Sequence, residues 1–114
     1  MTQTCPFCRI IAGETSTPIL YTDGWVTAFR DIHPITPVHI LIVPNKHLVS
    51  LDEMQDADEP LLGHMVNTAR QLAVENGIQD SGYRLVINTG PNAGQSVFHM
   101  HLHLIGGRPM PFKM

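Results

Sequence analysis

The clearest alternation in the chain runs from Phe98 to Ile105, where His99, His101 and His103 interleave with Met100, Leu102 and Leu104. A period of two is that of a β-strand with one dry face. Such a strand turns Met100, Leu102 and Leu104 into the core. It sets the three histidines in a row on the other side, neighbours roughly 7 Å apart at about 3.3 Å of rise per residue. Shorter apolar runs predict strands at Ile19 to Tyr21 and Val26 to Phe29, around the turn Thr22-Asp23-Gly24. Val38 to Val43, which Pro44 ends, and Tyr83 to Asn88 read as two more.

Helical spacing appears twice. Leu62, Met65, Val66, Ala69, Leu72 and Ala73 share one stripe, which predicts a helix from Leu61 to Val74 with Gly77 closing it. The acidic run before it (Asp52, Glu53, Asp56, Asp58, Glu59) suits a helix start and is read as a solvated entry without chemistry. Cys5 to Gly13 reads as a short helix, with Pro6 in its first turn, Gly13 as its stop and Phe7, Ile10 and Ile11 as its apolar side. Strands on both sides of one long helix, without βαβ alternation, give an α+β fold on an antiparallel sheet. Neither repeat nor linker interrupts residues 1–114, which read as one domain.

Totals narrow the function. At 114 residues with 43% apolar and 15% charged, the chain can bury a real core and is not a disordered tail. The formal net charge is −3 and no basic block occurs, so a long nucleic-acid partner is not expected, whereas a small nucleotide is compatible. No apolar run is long enough to span a bilayer and no signal sequence opens the chain, so no membrane partner is expected and the reading is cytoplasmic. Cys5 and Cys8 are too close in sequence for a useful staple; C-x-x-C is a familiar half-site for zinc, the alternative being two buried thiols.

Three interleaved histidines are a chemical signature as much as a structural one. Adjacent imidazolium ions repel, so most of the row is expected to be neutral, and neutral imidazole serves as nucleophile, base or ligand. The run His99 to Ile105 resembles the His-φ-His-φ-His-φ-φ signature of the histidine triad superfamily, φ being apolar. Gly94-Gln95-Ser96-Val97 before it and Gly106-Gly107-Arg108 after it resemble the nucleoside-phosphoramidate-hydrolysing branch. Further resemblance lies in Phe29-Arg30-Asp31-Ile32, Pro37-Val38-His39 and Val43-Pro44-Asn45-Lys46-His47.

That resemblance implies a five-stranded sheet with one main helix, paired as a homodimer. The apolar surface of the Leu61 to Val74 helix, more than one sheet face needs, points the same way. It also implies a hydrolase acting at the α-phosphorus of purine nucleoside phosphoramidates or related AMP derivatives, through a covalent nucleotidyl-histidine. By motif position His101 is the nucleophile, His103 the partner of the non-bridging phosphate oxygens, His39 a supporting hydrogen-bond partner and Ser96 the leaving-group hydroxyl. Asp31 matches the ribose acid and Asn88 the ribose–phosphate junction. Gln95 matches a phosphate donor, and Phe7, Ile10, Phe29 and Ile32 the apolar slot for the base. Cys5, Cys8, His47 and His99 match the Cys₂His₂ zinc set of some bacterial members, a closed structural site in which His99 leaves catalysis to His101 and His103. Dinucleoside polyphosphate hydrolysis and non-catalytic nucleotide binding are the alternatives. Nucleotidyl transfer is disfavoured by His103, where that branch carries glutamine. A catalytic zinc on His101 and His103 lacks a natural third ligand. The tail Arg108 to Met114 brings Phe112, an aromatic wall for substrate selection.

Overall fold

A computed structural model of the chain describes residues 4–111; Phe112 lies outside them. Five strands form one antiparallel sheet in the order β1-β2-β3-β5-β4: β1 Tyr21–Thr22, β2 Val26–Arg30, β3 Val38–Pro44, β4 Tyr83–Val86 and β5 Leu102–Gly106. A six-residue helix, α1 (Pro6–Ile11), precedes them, and a seventeen-residue helix, α2 (Glu59–Glu75), lies between β3 and β4. The α+β expectation holds. The acidic run folds into two single turns of 3-10 helix, Leu51–Glu53 and Asp56–Asp58, before α2 begins.

The sheet is covered on both faces, by different elements. Ile40 and Ile42 point with Val26, Ala28, Leu102 and Leu104 toward Met65, Ala69, Leu72 and Ala73 of α2. Their i, i+4, i+7, i+8 spacing is the helical stripe read in the sequence, and full burial of a side chain such as Met65 contributes about 1.5–3 kcal/mol. Helix α2 ends at Asn76 and Gly77; the latter takes φ 71°, and Ile78 N–H returns to the Ala73 carbonyl at 3.1 Å. On the opposite face Phe29, Leu41 and Val43 pack against Phe7 of α1. This double cover is why β3 reads as a continuous apolar run. Val66 and Val74 on α2 remain exposed.

Cross-strand register builds the rows on the α1 face. Phe29 faces Leu41, Leu41 faces His103 and His103 faces Val86; the neighbouring row runs His39, Ile105, Arg84. Strand bounds depart from those expected: β1 is Tyr21–Thr22 rather than Ile19 to Tyr21, β4 ends at Val86 rather than Asn88, and β5 is shorter than its alternation suggested. The histidine strand was to run from Phe98, but β5 begins at Leu102. Continuing the β3–β5 register would set Met100 opposite Pro44, which has no N–H for the ladder. Met100 N–H bonds the Leu48 carbonyl at 2.7 Å instead, and Val97 to His99 form a bend. The three histidines therefore do not form one open row: His99 is wholly buried, while His101 and His103 stay neighbours with ring centroids 4.9 Å apart.

The glycine pair at the end of β5, Gly106 within the strand and Gly107 just past it, answers to two different demands. A Cβ on Gly106 would lie 2.9 Å from Ile78 Cδ1 and 3.2 Å from the Gly82 carbonyl oxygen, while Gly107 adopts φ 101°. Gly106→Ala is expected to lower stability by about 1–3 kcal/mol through overpacking alone. Thermal unfolding checks this, and an unchanged midpoint would show that Ile78 and the backbone at Gly82 yield freely.

Candidate active site and an adjoining cysteine–histidine cluster

His101 sits just before β5, 7% exposed, with the Phe7 ring edge-on at 5.1 Å. Its Nδ1 lies 2.7 Å from the carbonyl oxygen of His99. A carbonyl only accepts, so this bond assigns the proton to Nδ1 and leaves a lone pair on Nε2. That is the form a nucleophilic imidazole requires.

His103 has the opposite polarity. The Ile35 N–H donates to His39 Nδ1 at 3.2 Å, which puts the His39 proton on Nε2. That nitrogen stands 2.9 Å from His103 Nδ1, with Asp31 Oδ2 a further acceptor at 3.4 Å. His103 Nδ1 must then accept, so its proton is on Nε2, a buried atom without a partner among the described residues. Burial, reinforced by the neighbouring His101 and His39, lowers the His103 pKa from 6.5 to about 4; burial also lowers His39, against an opposing pull from Asp31. Asp31, His39 and His103 also lie close enough to be considered as metal ligands. The Ile35 N–H argues against it, because His39 Nε2 carries the proton and has no lone pair to offer.

Both histidines open onto a cavity of about 420 Å³. Phe7, Ile10 and Phe29, the residues the resemblance marks as an apolar slot, are in its lining, with Phe7 and Phe29 edge to face at 5.3 Å. Asp31, Asn88 and Ser96 line it too, Asn88 just beyond the end of β4. Asp31 Oδ1 accepts the His33 N–H at 2.8 Å, which holds the carboxylate at the cavity. Ile32 lies at the mouth and is 82% exposed, so it is a rim residue whose burial would need an occupant.

Gln95 is the correction. It does not line this cavity, and its amide is fully engaged: Oε1 accepts the Gly90 N–H at 2.9 Å, and Nε2 donates to the carbonyls of Val49 at 2.6 Å and Val97 at 3.1 Å. It braces the loop that carries Ser96 and has no donor left for a phosphate. The sequence reading also missed Leu41, Thr15 and Thr17 in the lining. Alternation along β3 signals Leu41, which shares a face with His39. The two threonines lie in a loop without periodicity, so nothing local marks them.

Behind Phe7 the other histidine is committed elsewhere. His99 Nε2 donates to the Pro44 carbonyl at 2.8 Å, leaving Nδ1 as a lone pair. That atom is 3.3 Å from Cys5 Sγ, 3.5 Å from Cys8 Sγ and 3.1 Å from His47 Nδ1; Cys8 Sγ is 3.2 Å from His47 Nδ1. Bonds of 2.0–2.3 Å in a tetrahedron imply ligand separations of about 3.3–3.8 Å, so the four atoms nearly describe one. The carbonyl behind His99 is the kind of outer partner that orients a ligating imidazole. Burial and the Cys5 thiol push the Cys8 pKa up to about 11, so the Cys8 thiol stays protonated unless a cation displaces its proton. The donor set fits a thiophilic divalent metal.

A cavity of this size, faced by one histidine lone pair and one buried histidine N–H, sets a nucleophile or base beside a fixed hydrogen-bond donor. The chain belongs to the HIT domain family, whose pattern it matches over residues 12–110. It is 44% identical to the purine nucleoside phosphoramidase of Escherichia coli K12 over 110 residues, 96% of this chain and 92% of that one. It superposes on a HIT family hydrolase from Legionella pneumophila with a TM-score of 0.93 at 42% identity, covering 96% and 97% of the two chains. A Zn-bound histidine triad family protein from Mycobacterium smegmatis superposes at 0.81 with 30% identity, over 92% of this chain and 76% of that one.

The lowered His103 pKa carries a sign. Between about 4 and 6.5 the unfolded chain binds more protons than the folded one, so stability falls on acidification. The contribution is complete above pH 6.5 and is lost as pH drops toward 4. Denaturant midpoints measured from pH 7 to pH 4 should decline across that window, and His103→Gln should flatten the decline. An equal slope in both proteins would remove His103 as a source.

Proposed function

We propose that this chain hydrolyses purine nucleoside phosphoramidates or related AMP derivatives at the α-phosphorus, through a covalent nucleotidyl-His101. The observation that carries the reading is the opposed polarity of the two histidines: a lone pair on His101 Nε2 beside a buried, partnerless N–H on His103 Nε2. The relationship to a purine nucleoside phosphoramidase supports the substrate class.

The base lies between Phe7, Ile10 and Phe29, and Asp31 accepts the ribose hydroxyls. His101 Nε2 attacks phosphorus, the N–P bond to His101 forms, and the bond from phosphorus to the leaving nitrogen breaks. The departing amine takes a proton through the Ser96 hydroxyl. As phosphorus becomes five-coordinate, charge grows on its non-bridging oxygens, where the His103 N–H donates; a donor fixed in a water-poor site is worth more than one in solution. His39 is a positioning residue that holds the His103 tautomer through Ile35. Water then attacks phosphorus and gives up a proton that restores the Ser96 hydroxyl, the bond to His101 breaks, and a nucleoside monophosphate leaves.

His101→Ala is expected to lower turnover by on the order of a millionfold, as loss of a covalent nucleophile does, while AMP still binds. Acid-quenched parent enzyme should carry a nucleotide on the peptide containing His101, seen by mass. More than a tenth of the parent rate in the variant would sink the mechanism.

Cys5, Cys8, His47 and His99 are proposed as the ligands of one structural zinc, a closed tetrahedral set. When bound, the ion would tie α1 to the Pro44–His47 segment and to the bend at His99. Elemental analysis should find about one zinc per chain after dialysis. Cys5→Ser with Cys8→Ser should lower the unfolding temperature and raise the KM of a nucleotide substrate more than it lowers kcat. Metal-free protein after gentle purification, or a chelator that stops turnover without altering stability, would count against the assignment.

A further inference from the structure

Apolar walls discriminate poorly between bases, since a hydrophobic slot rejects an ill-fitting group by little, whereas a slot with an aimed hydrogen bond rejects analogues that cannot make it. Phe7, Ile10, Phe29 and Leu41 offer no such bond. Besides Asn88 and Ser96, a pair of threonines in the lining of the same cavity can offer one. Thr15 Oγ1 accepts the Thr17 N–H at 3.4 Å and donates its own proton to Thr17 Oγ1 at 3.0 Å. The Thr15 hydroxyl is thereby used in both directions. Thr17 Oγ1 has received one hydrogen bond, and its own proton has no acceptor among the described residues. Both threonines are half-buried and both line the cavity. Thr17 also borders the shallow groove past Asp31 and Ile32, so it stands where the apolar slot opens out.

We propose that Thr17 is a specificity-determining residue for the base: its hydroxyl, oriented by Thr15, donates a hydrogen bond to a purine ring nitrogen. Purine rings present acceptors at N1, N3 or N7 along their edges. Arg9 is a poorer reader, being half-exposed and 3.7 Å from Glu14 at the rim. The inference rests on the reading of this cavity as a nucleotide slot and deepens it from apolar stacking to an edge contact.

The test uses full-length protein with Thr17→Val and Thr17→Ser, each first shown to keep the parent's unfolding temperature. Binding of AMP and of ribose 5-phosphate is measured by calorimetry. Thr17→Val is expected to weaken AMP about five- to tenfold, the worth of one hydrogen bond, and to leave ribose 5-phosphate unchanged. Thr17→Ser, which keeps the hydroxyl, is expected within twofold of the parent. Among 1-, 3- and 7-deaza-AMP, one should bind the parent more weakly and lose nothing further in Thr17→Val, as coupling through a shared contact requires. An equal loss in the serine variant would assign the effect to loop shape and overturn the proposal. So would AMP affinity unchanged in Thr17→Val, or an absence of coupling with all three analogues. Should parent protein bind neither AMP nor ribose 5-phosphate, the nucleotide-slot reading fails first, and this one with it.

Discussion

The hydrogen bond from His101 Nδ1 to the His99 carbonyl, 2.7 Å long, decides which face of the imidazole meets the cavity. It can form because the histidine segment is not part of the sheet until Leu102. A ladder continuing past Ile42 would have taken up the backbone groups around His99 and Met100. Pro44 cannot sustain that ladder, and its carbonyl accepts from the His99 ring instead. One imino acid on a neighbouring strand thus frees a carbonyl and fixes the residue that bears it. The bend at Val97 to His99 is where alternation gives way to a site.

Two histidines two positions apart receive opposite roles from two backbone groups. A carbonyl makes His101 a donor at Nδ1 and an acceptor toward the cavity. An amide N–H at Ile35, relayed through His39, makes His103 an acceptor at Nδ1 and a donor toward the cavity. Backbone groups set both roles, and the Asp31 carboxylate, 3.4 Å from His39 Nε2, adds to the second. Burial then keeps His103 neutral through the physiological range, because protonating Nδ1 would set it against the His39 N–H as well as against desolvation.

The alternation from Met100 to Leu104 and the stripe along α2 were legible because both answer to one core, and each residue's place follows from local period. The shortened strand was not, since its cause lies at Pro44 on another strand. Gln95 shows the same limit more sharply. Beside a glycine and a serine it reads as a phosphate donor, yet its partners are Gly90, Val97 and the Val49 carbonyl forty-six positions away. Only tertiary structure decides whether an amide is free. The cysteine–histidine quartet was legible as a set through resemblance rather than spacing, because its members come from three separated segments. Thr17 had no signal at all, being one polar residue in a polar loop.

Helix α1 joins the two halves of the molecule's chemistry. Six residues are too few for a helix to persist alone, and Phe7 supplies its one buried side chain. Its remaining anchorage is at Cys5, the N-cap, directed at His99, and at Cys8, directed at His99 and His47. The same short helix presents Phe7 and Ile10 to the cavity. Loosening the cysteine end should therefore release the slot wall before it disturbs the histidines. His99 keeps its bond to Pro44, Met100 keeps Leu48, and the His101 tautomer survives with them. The cavity wall and the two histidines rest on different anchors, so damage to one need not be damage to the other.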